Sequence, residues 1–307
     1  MPMSATPPSP ADPALRDRAA LVAVLLMMTV GVINAVDAVI VRLLAKEVHP
    51  FIIGLTRTSF GLLAMLPWIL SRPAMLKTEY RLMHVLRAAL KLGSLIAVFF
   101  ALAEAPLADV TSIGFAAPLF VTVGAWFFFK ERPQPVRVLA VGLGFVGVLI
   151  VLKPDWAAGM KISTALGLAL LGALLTAVIQ LMLKSMARRD KTDTLVAWNL
   201  IVSVPLAALP ALLVWQNPSP YHWALLAVQG ALGAVNQTMV TRAFQLADAS
   251  LVAPIDFLRL PFVAILAFVL FQESAGLSTW AGAAVIFVAT MIMAATRRER
   301  SPLPPAQ

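Results

Sequence analysis

Ten stretches of about twenty mostly apolar residues follow one another along this chain, joined by short polar connections. A helix needs about 20 apolar residues to cross the roughly 30 Å hydrocarbon core of a bilayer, so each stretch is a candidate span. The segments run over 19–42, 50–70, 82–103, 107–129, 135–152, 163–186, 194–215, 221–243, 249–271 and 277–296, and no stretch is left for a soluble domain. Hydrophobic residues make up 60% of the chain and charged residues 13%, against roughly 45–50% and 25% in soluble proteins. Lipid must therefore be the solvent for most of the surface. The apolar run from Ala19 to Leu44 exceeds the about 7–15 residues of a signal-peptide core and reads as an uncleaved first span. Residues 1–18, "MPMSATPPSPADPALRDR", are rich in proline and small residues and are expected to form a disordered cytoplasmic tail, and residues 297–307 a second cytoplasmic tail.

With no cysteine, the chain cannot form disulfides, bind zinc through thiolates or use a thiol nucleophile. The formal charge of +9 does not point to nucleic acid, because the basic residues sit in short loops between apolar runs rather than on one polar face. One set of loops holds Arg72, Lys77, Arg81, Arg137, Arg188, Arg189 and most other basic residues; the alternate set holds Arg42, Lys46, Lys153 and Lys161. That bias places both termini in the cytoplasm of a multi-pass inner-membrane protein. An intramembrane enzyme is disfavoured: His49, His84 and His222 fall in different segments, and neither HExxH nor GxSxG occurs. "GLGFVG" at 142–147 matches the dinucleotide-binding pattern but lies inside an apolar helix, where small residues serve close helix packing. No cofactor or metal is expected.

The chain also repeats itself. Shifting it by 142 residues pairs Val110 with Val252, Ile113 with Ile255, Phe115 with Phe257, Phe120 with Phe262, Phe129 with Phe271, Glu131 with Glu273 and Phe145 with Phe287. The same shift sets Arg42 on Lys184, and Pro118 falls one position from Pro261. Each copy, 19–152 and 163–296, holds five segments. An odd count sends the second copy into the membrane from the opposite side, the inverted arrangement of alternating-access transporters. The fold expected is an all-α integral membrane protein of ten transmembrane helices in two inverted five-helix repeats. The shared Glu131 and Glu273 would then lie on opposite faces and could not meet.

The run "ALAEAPLADVTSIGFAAPLFVTVGAWFFFKERPQPVRVLAVGLGFVGVLIVLKP" resembles the half-repeat of EamA-type carriers in the drug/metabolite transporter superfamily. The resemblance covers nearly the whole chain and is weaker over 163–215. It implies ten helices in two inverted five-helix repeats and uptake or export of small metabolites, amino acids or drugs, without naming a substrate.

Ionisable side chains inside a membrane cost several kcal/mol unless paired or wetted, so each is a functional suspect. His84, Arg87 and Lys91 form one stripe on the third segment. Lys91 lies about 15 Å from Arg81 along the helix, near the midplane. It reads either as a structural group, in an ion pair or bonded to helix carbonyls, or, with Arg87, as the lining of a cavity for an anionic group. Asp37 and Arg57 lie at similar depth on consecutive segments and are expected to pair, with proton coupling at Asp37 as the second reading. Asp256 and Arg259, three apart, are expected to neutralise each other beside Pro254 and Pro261, whose broken backbone suits a cavity wall.

Arg57, Arg87, Lys91 and Arg259 outnumber Asp37 and Asp256, leaving an interior positive by about two charges. That favours carboxylate- or phosphate-bearing substrates. Asn34, Asn236, Gln237, Gln180 and Asn199 are candidates for ligand contact or for helix–helix bonds, and Phe115 and Trp126 for the cavity wall. The expected function is a secondary active transporter of a small anionic or zwitterionic metabolite, partnered by the lipid bilayer and possessing a candidate proton site. A lipid-carrier or drug flippase of the same fold is the alternative.

Overall fold

The computed structural model describes residues 13–129, 134–153, 163–186, 190, 192–246 and 255–298. Among these the regular structure is entirely helical: α1 (Pro13–Leu44), α2 (Pro50–Ser71), α3 (Arg81–Glu104), α4 (Leu107–Gly114), α5 (Ala117–Phe128), α6 (Pro135–Leu152), α7 (Thr164–Met186), α8 (Thr192–Leu213), α9 (Pro220–Leu246), α10 (Arg259–Phe271) and α11 (Leu277–Arg298). Short 3₁₀ turns occupy Pro73–Leu76 and Asp256–Leu258. Prolines open α2, α6 and α9, where a missing N–H leaves no helical bond unmade. α1 starts at Pro13, six residues before the expected span, so 13–18 belong to the helix rather than to the expected tail. Proline at the helix start followed by Ala, Leu and Arg favours that extension.

Among the described residues, seven segments are long and apolar enough to cross a membrane: Ala19–Leu44, Pro50–Ser71, Arg81–Glu104, Leu107–Phe128, Pro135–Leu152, Thr164–Leu183 and Thr194–Leu213. Leu277–Met293 is a shorter apolar helix. Large apolar side chains such as Leu70, Phe127, Leu139 and Leu213 are exposed around the bundle, an arrangement suited to a lipid surround. The fourth expected segment is one span by length but two helices by backbone. Pro118 cannot donate to the preceding turn, so the chain tightens at Phe115 and Ala116 through bonds to Ser112 and Ile113 before α5 resumes. The shift-related segment has the same kind of break, with its 3₁₀ turn running into α10 just before Pro261.

Helix contacts follow the repeat. α1 packs on α9 as α7 packs on α3, α1 on α10 as α7 on α5, and α2 on α9 as α8 on α3. α2 with α8, and α6 with α11, pair across the two copies. The fourth segments of the copies are also anchored end to start: the Leu107 N–H opening α4 donates to Glu273, just past α10, at 3.1 Å.

α6 and α11 approach each other closely at two glycines. A Cβ on Gly147 would lie 2.8 Å from the Gly282 carbonyl oxygen, and one on Gly282 would lie 2.6 Å from that of Gly147. Gly144 and Gly147 of the 142–147 run are therefore packing surface, as read from sequence, while Gly142 faces outward. Gly147→Val is expected to lower stability by about 2–3 kcal/mol through overpacking against backbone. Gly142→Ala, with nothing within 4 Å of its Cβ, should leave the melting temperature unchanged in the same detergent.

Candidate functional site

Two polar clasps join the copies at opposite ends of α3. At the first, α10 ends on Gln272 in the left-handed region (φ 56), and the Glu273 N–H reaches back to Ala267 at 3.2 Å. This C-terminal motif turns Glu273 inward. Its carboxylate meets Arg42 at 2.5 Å, and Arg42 also donates to the Leu102 and Ala105 carbonyls, both at 2.7 Å. One guanidinium thus ties the end of α1 to the end of α3 and to the second copy. Nearby, buried Asp109 accepts a short bond from the Thr279 hydroxyl of α11 and faces Lys153 Nζ at 3.5 Å.

At the other end, His84 is fully buried, its Nε2 2.8 Å from Asp190, and its ring stacks on Trp198 of α8. The Thr78 hydroxyl donates to the same carboxylate, at 2.9 Å. The loop before α3 is thereby fixed to the connection between α7 and α8.

Between the clasps lie the charges singled out by sequence. Arg57 Nη1 donates to both oxygens of Asp37, at 2.6 and 2.8 Å, which makes the expected pair. Lys91 is different. At about 100° per residue, it shares a face of α3 with buried His84, Ala88 and Leu102, while exposed Leu82, Leu86 and Ala89 mark the opposite face. Lys91 is nonetheless exposed. Lys91 thus combines an inward-facing position on α3 with an accessible side chain. Arg57 and Arg87 stand near enough for their charges to reach it, and it makes no hydrogen bond or ion pair with a described residue.

Other sequence candidates are placed otherwise. Arg87 is buried and donates to the Leu195 carbonyl of α8, so it anchors α3 rather than lining the cavity expected from sequence. The expected Asp256–Arg259 pair does not form. Spacing of three brings side chains together on a continuous helix, but a 3₁₀ turn holds Asp256 while Arg259 opens α10. The Arg259 guanidinium instead lies over Phe115, 4.8 Å from the ring centroid. Phe115 is buried, stacked on its repeat mate Phe257 at 4.1 Å, so it joins the two backbone breaks instead of forming a cavity wall.

Asn236 donates to Asn34 at 3.1 Å, joining α9 to α1. Trp126 packs against the main core, Asn199 is buried and Gln180 is exposed. The Gln237 and Lys184 side chains, with Glu131 and Pro254, lie outside the described residues.

Sequence reasoning missed Arg42–Glu273, His84–Asp190 and the burial of Asp109. The partners of the first pair are separated by 231 residues and those of the second by 106, so no local pattern announces them. Asp109 did leave a signal: a carboxylate in the first turn after Pro106, favoured by the helix dipole.

The chain is 30% identical to a riboflavin transporter of Brucella anthropi, over 71% of this chain and 78% of that one. It is 28% identical to an S-adenosylmethionine uptake transporter of Rickettsia prowazekii, over 85% and 88%. A pseudopaline exporter of Pseudomonas aeruginosa is 29% identical over 91% and 96%. One crystal structure shares the fold with a TM-score of 0.60, over 93% of this chain and 99% of that one, at 18% identity. The description "EamA-like transporter family" matches twice, over residues 21–153 and 163–295, once for each half of the repeat. Two such matches end to end, on a helical bundle with membrane-length spans, make this chain a member of the EamA-like transporter family and a multi-pass membrane protein.

Proposed function

We propose that this transporter is a secondary active carrier that moves a small anionic or zwitterionic metabolite by alternating access. Lys91 carries this reading: a cation halfway along α3 with no partner among the described residues, turned inward and accessible, with two guanidinium groups close by. An accessible ammonium at that depth is suited to a carboxylate or phosphate, the ligands that repay its loss of hydration. The relatives named for riboflavin, S-adenosylmethionine and pseudopaline support a polar organic solute, and they include both uptake and export proteins.

The reading includes ten spans in two inverted copies, with both termini in the cytoplasm and the protein in the inner membrane. The Leu107–Glu273 bond supports inversion, since it brings the start of one fourth segment to the end of the other. The excess of basic residues in one set of loops supports the orientation.

Ligand-induced stabilisation tests the substrate class. Riboflavin, S-adenosylmethionine, a panel of small carboxylates and phosphates, and a set of lipophilic cations are added separately to purified wild-type and Lys91→Ala protein. An anionic ligand is expected to raise the melting temperature of the wild type and to leave Lys91→Ala unmoved. Stabilisation of both proteins by lipophilic cations alone would contradict the anion reading and favour a drug flippase.

A further inference from the structure

α1, α2 and α9 meet along a seam whose polar groups outnumber their partners. α9 runs antiparallel to α1, with His222 Nε2 3.7 Å from Glu47 at one end and Asn236 bonded to Asn34 further along. Between these points a Cβ on Gly233 would lie 3.5 Å from the Arg57 guanidinium. At about 100° per residue, His222, Gln229, Gly233 and Asn236 fall on one stripe facing this seam. Gln229 is 0% exposed, and neither atom of its amide has a partner among the described residues. The Asn236 Oδ1 is likewise unpartnered.

A buried, unsatisfied amide costs about 1–3 kcal/mol, a penalty that leucine at position 229 would avoid. The smallest molecule able to serve both ends of such an amide is water. The seam leads from Glu47, whose side chain is 72% exposed, toward Asp37. Gln229 lies about 6 Å along α9 from Gly233, where Arg57 holds Asp37.

Arg57 is the shared partner. If Asp37 loses its charge, Arg57 and Lys91 become two neighbouring cations without a counter-ion, and an anion binds more tightly. If an anion takes Arg57, Asp37 becomes the better proton acceptor. The two effects are one coupling free energy seen from each ligand.

We propose that water in the α1–α2–α9 seam, held by Gln229, carries protons between the Glu47–His222 rim and Asp37, and that protonation of Asp37 releases Arg57 to the anionic group of the substrate. Proton and anion then move together. The inference rests on the anion-carrier reading and adds its coupling ion. The proton bonds to a carboxylate oxygen of Asp37, the ion pair opens, and the proton leaves when the pair re-forms after the anion departs. Arg57 on α2 is paired with Asp37, and the elements packed against α1 also carry Arg87 and Lys91 on α3, Asp256 and Arg259 at the start of α10, and His222 and Arg242 on α9.

The full chain in nanodiscs, stepped from mildly alkaline to mildly acidic buffer with inorganic phosphate present as the anion probe that draws Arg57 from Asp37, tests this. Infrared difference spectra are expected to contain a carboxylic-acid carbonyl band that Asp37→Asn removes. In Gln229→Leu, or in Gln229→Met of similar volume, the band should rise about tenfold more slowly to the same height. A wild type lacking the band, or an Asp37→Asn protein retaining it, overturns the inference. The anion-carrier reading would still stand, because the ligand shifts at Lys91 do not depend on it. An unchanged rate in the Gln229 variants also overturns it, and a raised melting temperature would then mark Gln229 as an amide in a dry seam.

Discussion

Lys91→Ala is expected to abolish accumulation of substrate in proteoliposomes while leaving the folded yield intact. Two effects of the substitution have opposite signs, and their sizes decide the result. A charge-assisted hydrogen bond from the ammonium to an anionic substrate is worth about 1.5–3 kcal/mol, or about 10- to 150-fold in affinity at ~1.4 kcal/mol per decade. Folding loses nothing comparable, because Lys91 has no described partner to strand. Removing a cation that stands near Arg57 and Arg87 relieves like-charge repulsion, so the melting temperature should hold or rise. Lys91→Arg keeps the charge but not the compact ammonium and should restore only part of the activity. Full transport by Lys91→Ala would remove this residue from the substrate path.

The second large effect is expected at Arg42, and it is on stability. Arg42→Ala removes bonds to the Leu102 and Ala105 carbonyls and leaves Glu273 without its counter-ion. Breaking a buried pair from one side costs about 3–5 kcal/mol. Here the partners keep 16% and 21% of their side-chain exposure, so screening by water brings the expected loss to about 2–3 kcal/mol. Glu273→Gln should cost less, since an amide oxygen can still accept from Arg42 or from the Leu107 N–H. Melting curves of the two variants in one detergent check the order. Equal losses, or none, would show that the clasp does not hold α1, α3 and the second copy together.

Much of this architecture is written in local sequence. Segment length and apolar content mark the helices, and the 142-residue register reaches into detail: α2 at Pro50–Ser71 maps onto α8 at Thr192–Leu213. Phe115 and Phe257, paired by that register, stack on each other. Asp37–Arg57 was legible because consecutive helices joined by a short turn place equal depths side by side. Asp256–Arg259 misled because spacing predicts contact only on an unbroken helix, and a 3₁₀ turn intervenes. Arg87 misled for another reason: its stripe faces inward as expected, but the Leu195 carbonyl takes the guanidinium. The cross-copy clasps and the Gln229 seam depend on which helices touch, which no single segment encodes.

The account stands on an inward, water-filled, cationic hollow at Lys91, and thiol labelling reads it directly because the chain has no cysteine of its own. A single Lys91→Cys substitution should react with membrane-impermeant methanethiosulfonates, and faster with the anionic reagent than with the cationic one, given Arg57 and Arg87 close by. Labelling by a lipid-soluble maleimide alone would put position 91 against acyl chains and contradict the account.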